Sequence, residues 1–494
     1  MRLSKIISEL EKIENIEIIG EKEGEISCLF ADSRERVEKG LFVCLKGENA
    51  DGHEKAEEGI KNGAVALLTE RPLPVSVPQI LVKDARSALA KTASIFYGEP
   101  SKRLKIIGVT GTNGKTTTAY MLCSILRSAG KKTGVIGTLG AVYAEKRVDT
   151  GLTTPDPIVL HRLLADMVLH GIEYVVMEVS AHALHYKKTD GILFSACIFT
   201  NLSQDHLDFF KDMQAYKQAK LPLFENERCQ IAVLNGDEET GREIGALRKN
   251  GENGKTVYYG LKTPSDCFAV ITDETLVGSE CVLNLNDELC RVNVGMTGRH
   301  NVYNALGAAA CAIELGIAAK YIMDGLNALQ GVCGRLQRVG NYQKAEIYVD
   351  FAHTPDGLAQ SLDTLKRFCR GRLICLFGCG GNRDKGKRRI MGERAAKKAD
   401  FAVLTSDNPR FEDPLDILSE IESGFRRFSA RYVIVPDRKR AIEYALNMLQ
   451  RGDVLLVAGK GGENYQEIMG IKYPFNDQDI IEKTLEGKGK NPLA

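Results

Sequence analysis

The run Ile106-Ile-Gly-Val-Thr-Gly-Thr-Asn-Gly-Lys-Thr-Thr-Thr118 carries the most specific chemistry in this chain of 494 residues. Ile106 to Val109 read as an apolar strand. Gly111 and Gly114 turn the chain, and Lys115 opens a helix whose apolar positions Ala119, Met121, Leu122 and Leu126 recur at helical spacing. A turn of this kind gathers backbone N–H groups and a helix N-terminus around an anion. Its glycines let the backbone approach phosphate oxygens. Lys115 adds a mobile positive charge, and the Thr116 hydroxyl suits Mg²⁺. Gly111, Thr112, Asn113, Gly114, Lys115, Thr116 and Thr117 are therefore expected to hold the phosphates of ATP. A plain Gly-rich surface turn would not explain Lys and two Thr at the helix entrance.

Other reactive types follow at strand ends. The strand Tyr174–Met177 leads into Glu178, which suits a Mg²⁺ contact near a phosphate loop but is otherwise an ordinary strand-end acid. The strand Ala196–Phe199 leads into Thr200-Asn-Leu-Ser-Gln-Asp-His-Leu-Asp208. There His206 reads as a metal ligand, or as a neighbour of a helix-cap cluster of Ser203, Asp205 and Asp208. Lys220 closes the helical run Tyr216–Lys220, and the residue alone reads as a solvated lysine. Asn301 and Asn304 lie one turn apart where a small-residue helix begins, a face that suits a purine or a helix cap.

The last third alternates strands (Ile347–Asp350, Leu373–Phe377, Phe401–Thr405, Arg431–Val435, Val454–Ala458) with helices. That pattern argues for a mostly parallel sheet with its site at the strand carboxyl ends. The loops there are Asp350–Asp356, Gly378–Arg389, Ser406–Arg410 and Gly459–Glu463. They are rich in charge and suit a small zwitterion if Arg383, Arg410 and Glu463 converge.

The elements that must position these groups form an α/β protein of about three domains by length. A first domain, 1–102, opens on an amphipathic helix (Leu3, Ile6, Ile7, Leu10, Ile13) rather than a signal peptide. Two polar turns, Ala31–Glu35 and Lys46–Gly52, flank one of its buried strands. Gly98–Lys102 reads as a linker to a central domain, 103–333, built on a P-loop-type, mostly parallel sheet. Within it, 251–295 is a small β-rich excursion. Residues 334–494 make a Rossmann-like α/β domain. Lys+Arg (66) balance Asp+Glu (65), so no net field favours nucleic acid or an anionic membrane, and no apolar run is long enough to span a bilayer. The 13 scattered cysteines fit a reduced, cytoplasmic protein, and Cys375-x-x-x-Cys379 is a weak metal signal.

Ordered along the chain, these stretches resemble the Mur ligase family, the ATP-dependent amide-forming enzymes of peptidoglycan synthesis. They include Asp32-Ser-Arg34, Gly111–Thr117, Thr153-Thr-Pro155, Glu178-Val-Ser180, Asn201–Asp208, Ala219-Lys220, Asn301–Leu306, Gly334-Arg-Leu336, Asp350–Pro355 and Asp407-Asn-Pro-Arg410. The resemblance covers essentially the whole chain. It is strongest with members that add meso-2,6-diaminopimelate to UDP-N-acetylmuramoyl-L-alanyl-D-glutamate.

The resemblance implies roles. Ser33, Asn49, Ala50 and Asp51 would meet the UDP part in the first domain, and Thr153, Thr154, Ser180, Tyr186 and Lys188 would line the muramoyl-dipeptide. Lys115, Glu178, His206 and Lys220 would be catalytic. Thr116, Glu178, His206 and a carbamylated Lys220 would hold Mg²⁺, and Asn301, Arg335 and Asp350 would complete the ATP contacts. Arg383, Asp407, Asn408, Pro409, Arg410, Gly459 and Glu463 would read diaminopimelate, with Arg410 on its second carboxylate. An acyl phosphate would form and then yield to the amine. Closure of the domains over ATP and a monomeric state are also implied.

The chain departs from the family pattern at Leu152, Ala181, Tyr186, Lys188, Cys333 and Gly462. An L-lysine-adding or other acyl-glutamate ligase is the alternative within the enzyme class, and a nucleotide-binding regulatory protein is the alternative outside it. The latter predicts erosion at Lys115, Glu178, His206 or Lys220, and all four are intact.

Overall fold

The computed structural model describes residues 1–47, 50–248 and 254–487. Its contacts divide the chain into two compact units. One comprises Met1–Gly108, Lys131–Cys197 and Pro222–Gln230; the other comprises Val109–Gly130, Ile198–Leu221 and Ile231–Ala494. The architecture is α/β, with three principal sheets.

The N-terminal sheet has five strands in the order Glu17–Ile19, Gln79–Leu81, Ala64–Thr69, Gly40–Val43 and Cys28–Phe30. Only the edge strand Glu17–Ile19 pairs antiparallel. The helix Leu3–Leu10 buries Leu3, Ile6, Ile7 and Leu10, the apolar stripe that its spacing predicts. It ends one turn short of Ile13, which is exposed. The helix Ala85–Phe96 packs on the same core, its first turn capped by the Asp84 carboxylate, which accepts from the N–H of Arg86 and Ser87.

An eleven-stranded sheet follows. Its order is Glu288–Val294, Ser279–Leu285, Cys267–Glu274, Lys255–Gly260, Cys229–Asn235, Phe194–Phe199, Lys105–Thr110, Tyr174–Glu178, Thr133–Gly137, Gly140–Tyr143 and Lys146–Val148. Tyr174–Glu178 pairs parallel with Thr133–Gly137, whereas the hairpins at both ends are antiparallel. The expected β-rich excursion is the hairpin set Cys267–Val294. The small-residue helix runs Arg299–Glu314, so Asn301 and Asn304 fall in its first two turns and are buried.

The third sheet orders Gln337–Tyr342, Ala345–Asp350, Val454–Ala458, Leu373–Phe377, Phe401–Leu404 and Tyr432–Ile434. All but the first pair parallel. Leu373–Phe377 and Val454–Ala458 are buried along their whole length, as continuous apolar strands covered on both faces should be. Each large side chain there is worth about 1.5–3 kcal/mol of burial. Gln337–Tyr342 and a small hairpin, Tyr465–Ile468 with Ile471–Pro474, were not expected from the apolar pattern.

Lys220 corrects one expectation. The helix ends at Gln218, and Lys220 lies in the turn before the 3₁₀ segment Leu221–Phe224. Pro222 explains this, because it has no N–H to donate to the Gln218 carbonyl and so cannot continue the ladder. Lys220 is wholly buried, not solvated.

Candidate active site

The phosphate loop leaves the strand Lys105–Thr110 and enters the helix Lys115–Ser128. Gly111 and Gly114 have φ of 145° and 84°. A Cβ on Gly111 would strike the Thr200 hydroxyl, and one on Gly114 would strike the Asn304 amide. The loop is clamped from one side by the segment after Phe199. Thr112 N–H donates to the Asn201 carbonyl (2.9 Å), and Asn113 N–H donates to Asn201 Oδ1 (2.9 Å). Thr200 Oγ1 donates to the Asn113 carbonyl at 2.6 Å, and Ser203 N–H donates to Thr112 Oγ1 at 2.9 Å. Asn304 accepts from Thr118 Oγ1 and donates to Asn301 Oδ1, so Asn304 links Asn301 to the helix that follows the loop. Thr117 is buried in the first helical turn.

Lys115 Nζ donates to the carbonyls of Gly111 (2.9 Å) and Thr112 (2.7 Å). Lys220 Nζ donates to the same Gly111 carbonyl at 3.2 Å and lies over the Tyr216 ring. Burial, and then the Lys115 ammonium, hold the Lys220 amine well below the usual lysine range against the pull of Asp205.

His206 has left-handed backbone, φ 55°. Its Nε2 lies 3.3 Å from the Asp205 carboxylate, which also faces His353 Nε2 (3.7 Å) and Lys387 Nζ (3.8 Å). Asp205 is 4% exposed. Burial pushes its carboxyl up, but His353, His206 and Lys387 outweigh that and hold it far below the usual carboxylate range. Asp205 does not cap the helix Leu207–Phe210, whose N-cap, His206, makes no side-chain cap hydrogen bond; His353 and Lys387 lie in loops that the sequence reading named, but neither was singled out. The Asp-His pair was the available signal; the partners lie too far along the chain to be read locally.

Arg335 Nη2 donates to Thr116 Oγ1 at 2.7 Å, and its guanidinium stacks on Phe351. The predicted contact from the last third of the chain therefore reaches the phosphate loop. Asp350 accepts from the N–H of Leu336 (2.8 Å) and Ala352 (2.7 Å), and burial pushes its carboxyl up to about 6 against the nearby Arg335.

In the other unit, Glu178 closes its strand and is buried. Its carboxylate accepts from Thr138 N–H (2.9 Å) and Thr138 Oγ1 (3.2 Å). Thr138 Oγ1 also meets Thr153 Oγ1 at 3.1 Å. Thr154 Oγ1 donates to the Glu178 carbonyl (2.9 Å) and accepts from Ser180 N–H (3.0 Å). Thr153, Thr154, Ser180 and Glu178 thus form one polar cluster joined by Thr138, which sequence reasoning did not single out. Lys188 pairs with Asp156 at 2.7 Å, and the Tyr186 ring stacks under Arg86. No group of three or more His, Cys, Asp or Glu among the described residues is disposed to hold a metal ion.

Ser33 Oγ donates to Glu58 (3.0 Å), and Asn62 donates to the Ser33 carbonyl (2.7 Å). Asp51 is held by His53 (2.6 Å) and Arg71 (3.6 Å), and the Ala50 carbonyl accepts from Gly47 N–H. Asn49 lies outside the described residues. Ser33 and Asp51 therefore have separate partners.

The loops at the carboxyl edge of the third sheet do converge. A Cβ on Gly459, which has φ 112°, would strike the Asp407 carboxylate, and one on Gly381 would strike the Pro409 carbonyl. Asn408 Nδ2 donates to Glu463 (2.9 Å) and Asn408 Oδ1 accepts from buried Lys460 (3.0 Å). Burial pushes the Asp407 carboxyl up, but Lys460 and Arg438 hold it below the usual range. Arg410 donates to Glu467 (2.9 Å) and to the Gly381 carbonyl (2.9 Å). Arg383 donates to the Asn382 carbonyl and remains the most outlying of the group. Lys460 and Glu467 are further members that the sequence reading did not single out. Cys375 and Cys379 are both buried and unpaired, with Cys379 against Met391 rather than in a metal site.

Three family models match: Mur ligase family, catalytic domain, over 25–97; Mur ligase middle domain over 109–312; and Mur ligase, glutamate ligase domain, over 334–461. The chain is 41% identical over 492 residues to UDP-N-acetylmuramoyl-L-alanyl-D-glutamate–2,6-diaminopimelate ligase 1 of Clostridium acetobutylicum, covering 98% of this chain and 99% of that one. It is 42% identical to the ligase of the same name, without the numeral, from Syntrophomonas wolfei, over 97% and 99% of the two chains. A solved structure of a UDP-N-acetylmuramoyl-L-alanyl-D-glutamate–2,6-diaminopimelate ligase superposes with a TM-score of 0.67 at 32% identity, over 94% and 96% of the two chains. With a clamped phosphate loop and a second α/β site built from charged loops, matched end to end, the chain belongs to the Mur ligase family.

Proposed function

We propose that the chain is an ATP-dependent, ADP-forming acid–amino-acid ligase of peptidoglycan precursor synthesis. It joins meso-2,6-diaminopimelate to UDP-N-acetylmuramoyl-L-alanyl-D-glutamate. The observation that carries this reading is 41% identity to a ligase of that specificity across 98% of the chain. The turn Asp407–Arg410, with an arginine suited to a second carboxylate, supports it.

In this reading residues 1–102 hold the UDP-muramoyl part, 103–333 hold ATP and 334–494 hold the amino acid. Ser33, Asn49, Ala50 and Asp51 meet the nucleotide of the acceptor. Thr153, Thr154, Ser180, Tyr186 and Lys188 meet its peptide end. Gly111 to Thr117, Asn301, Arg335 and Asp350 meet ATP. Arg383, Asp407 to Arg410, Gly459 and Glu463 meet diaminopimelate. The protein acts in the cytoplasm as a monomer. Its 13 cysteines form no disulfide among the described residues, in keeping with that compartment.

Mg²⁺ belongs to the reading on the chemistry of its donors. Thr116 and Glu178 offer oxygen, and His206 offers a ring nitrogen. An unmodified Lys220 would repel a cation. Its buried amine, held well below the usual lysine range by burial and the Lys115 ammonium, can instead take up CO₂, and the resulting carbamate supplies an anionic oxygen that suits a hard divalent ion. When bound, Mg²⁺ would neutralise charge on the transferring phosphoryl group.

The chain's own residues do the rest. Lys115 leaves its two carbonyls for the phosphate oxygens and stabilises their charge as the D-glutamate carboxylate attacks the γ-phosphorus, giving an acyl phosphate and ADP. Arg410 and Glu463 orient diaminopimelate so that its amine meets the acyl carbon and phosphate leaves.

ADP release is the test, with ATP, Mg²⁺ and the UDP-muramoyl-dipeptide present and either meso-diaminopimelate or L-lysine added. Turnover with lysine alone would replace the specificity assigned here. Turnover with neither would favour a regulatory nucleotide-binding protein.

A further inference from the structure

Arg410 closes its turn in left-handed backbone, φ 53°, and that turn is stitched to the strand Tyr465–Ile468. Arg410 N–H donates to the Glu467 carbonyl (3.0 Å), and Met469 N–H donates to the Arg410 carbonyl (2.7 Å). Glu467 N–H donates to Asn408 Oδ1 at 2.9 Å. Backbone contacts thus fix the point where the Glu467 side chain leaves the strand. Its carboxylate accepts from Arg410 Nε at 2.9 Å, and Arg410 Nη1 donates to the Gly381 carbonyl at 2.9 Å. The two side chains are only 16% and 21% exposed. A Cβ at Gly380 would stand 2.9 Å from Nη1, so the loop closes that side as well. The guanidinium is held at Nε and Nη1, which leaves Nη2 for a ligand.

We propose that Glu467 is a positioning residue that sets the plane of the Arg410 guanidinium for the second carboxylate of the incoming amino acid. It thereby determines selectivity for a diamino dicarboxylic acid over a diamino monocarboxylic one. The proposal rests on the reading of Arg410 given under Proposed function. An arginine with free torsions meets a carboxylate as a mobile charge, whereas one anchored at two nitrogens presents a fixed edge. Glu467 also lies against the charge it orients and weakens its general pull on anions. Selectivity then comes from the shape of the fork, not from net positive charge, and a monocarboxylate gains nothing from it.

Steady-state kinetics on the full chain test this, with meso-diaminopimelate, L-lysine and ATP varied in turn. Glu467→Ala is expected to raise KM for diaminopimelate about tenfold or more, with kcat and KM for ATP within about twofold. Glu467→Gln keeps an acceptor oxygen at Nε and should restore most of the affinity. In an Arg410→Ala background, Glu467→Ala should add nothing, because a residue that acts through its partner has no effect without it. A wild-type KM in Glu467→Ala, additive defects in the double variant, or a parallel loss in kcat and KM for ATP would each overturn the proposal. Arg410→Ala with a wild-type KM would overturn the reading of Arg410 and this proposal with it. A defective Arg410→Ala beside an unaffected Glu467→Ala would overturn this proposal alone.

Discussion

The amino groups of Lys115 and Lys220 meet on one oxygen, the Gly111 carbonyl, at 2.9 and 3.2 Å. Two ammonium groups this close, one of them wholly buried, repel each other, and burial with that repulsion holds the Lys220 amine well below the usual lysine range. An unprotonated lysine amine is the form that reacts with CO₂. Carbamylation would turn the repulsion into attraction, since Lys115 would then face an anion.

The intact protein should therefore carry the mass of one added CO₂ that maps to Lys220 and disappears on acid treatment. Lys220→Ala should lower kcat by a factor of about 10²–10³, the range typical of losing one preorganised electrostatic group. Peptide mapping under neutral conditions together with turnover checks both. A fully active Lys220→Ala would remove the lysine from the mechanism.

Asp205 should be felt through His206. Its carboxylate lies 3.3 Å from His206 Nε2 and also faces His353 and Lys387. Asp205→Asn removes the charge and keeps the size. Loss of an outer partner of a metal-binding histidine typically costs about 10–100-fold in metal affinity or activity. The readout is the Mg²⁺ concentration giving half-maximal turnover, which should rise. An unchanged Mg²⁺ curve would reduce Asp205 to a packing role.

Arg438 and Asp477 are both fully buried and paired through two bonds of 2.8 and 2.7 Å; Arg438 also donates to the Ala458 carbonyl. Asp477→Ala strands the guanidinium and should cost about 3–5 kcal/mol. Denaturant unfolding measures it. A loss under about 1 kcal/mol would mean that Asp407, which also feels Arg438, takes over the charge.

Acid should weaken the fold through His161. It is wholly buried, and neither ring nitrogen is hydrogen-bonded among the described residues. Burial pushes its pKa from the ordinary 6.5 down to about 4. Between those values the unfolded chain binds a proton that the folded chain refuses. Its share of stability is therefore complete above pH 6.5 and declines as the pH falls toward 4. At 1.36 kcal/mol per pH unit this amounts to at most about 3 kcal/mol. His161→Leu should flatten the pH dependence of unfolding in that window. A variant that keeps the wild-type slope would place the effect elsewhere.

The apolar elements of the fold were legible because their burial follows their sequence pattern. Leu373–Phe377 and Val454–Ala458 are continuous apolar strands and lie where their pattern puts them. Gln337–Tyr342 and Tyr465–Ile468 are polar and only partly buried, so neither has a pattern to read. The position of Lys220 was obscured because the run Met213–Ala219 before it is compatible with helix and Pro222 signals the break. Glu467 and Lys387 could not be assigned partners from the sequence, since those partners lie 57 and 182 positions away in Arg410 and Asp205. The phosphate loop needed no such distant information, because its glycines and lysine are adjacent in the chain.

The clamp of Thr200, Asn201 and Ser203 on the phosphate loop has a thermodynamic consequence. Fixing a loop residue in one backbone well costs about 1–2 kcal/mol of conformational entropy. Thr112 and Asn113 are already immobilised by hydrogen bonds within the protein. That entropy is lost when the chain folds, not when nucleotide arrives. Calorimetry of nucleotide binding should accordingly carry little loop-ordering penalty, and release of the product nucleotide should gain little from loosening the loop.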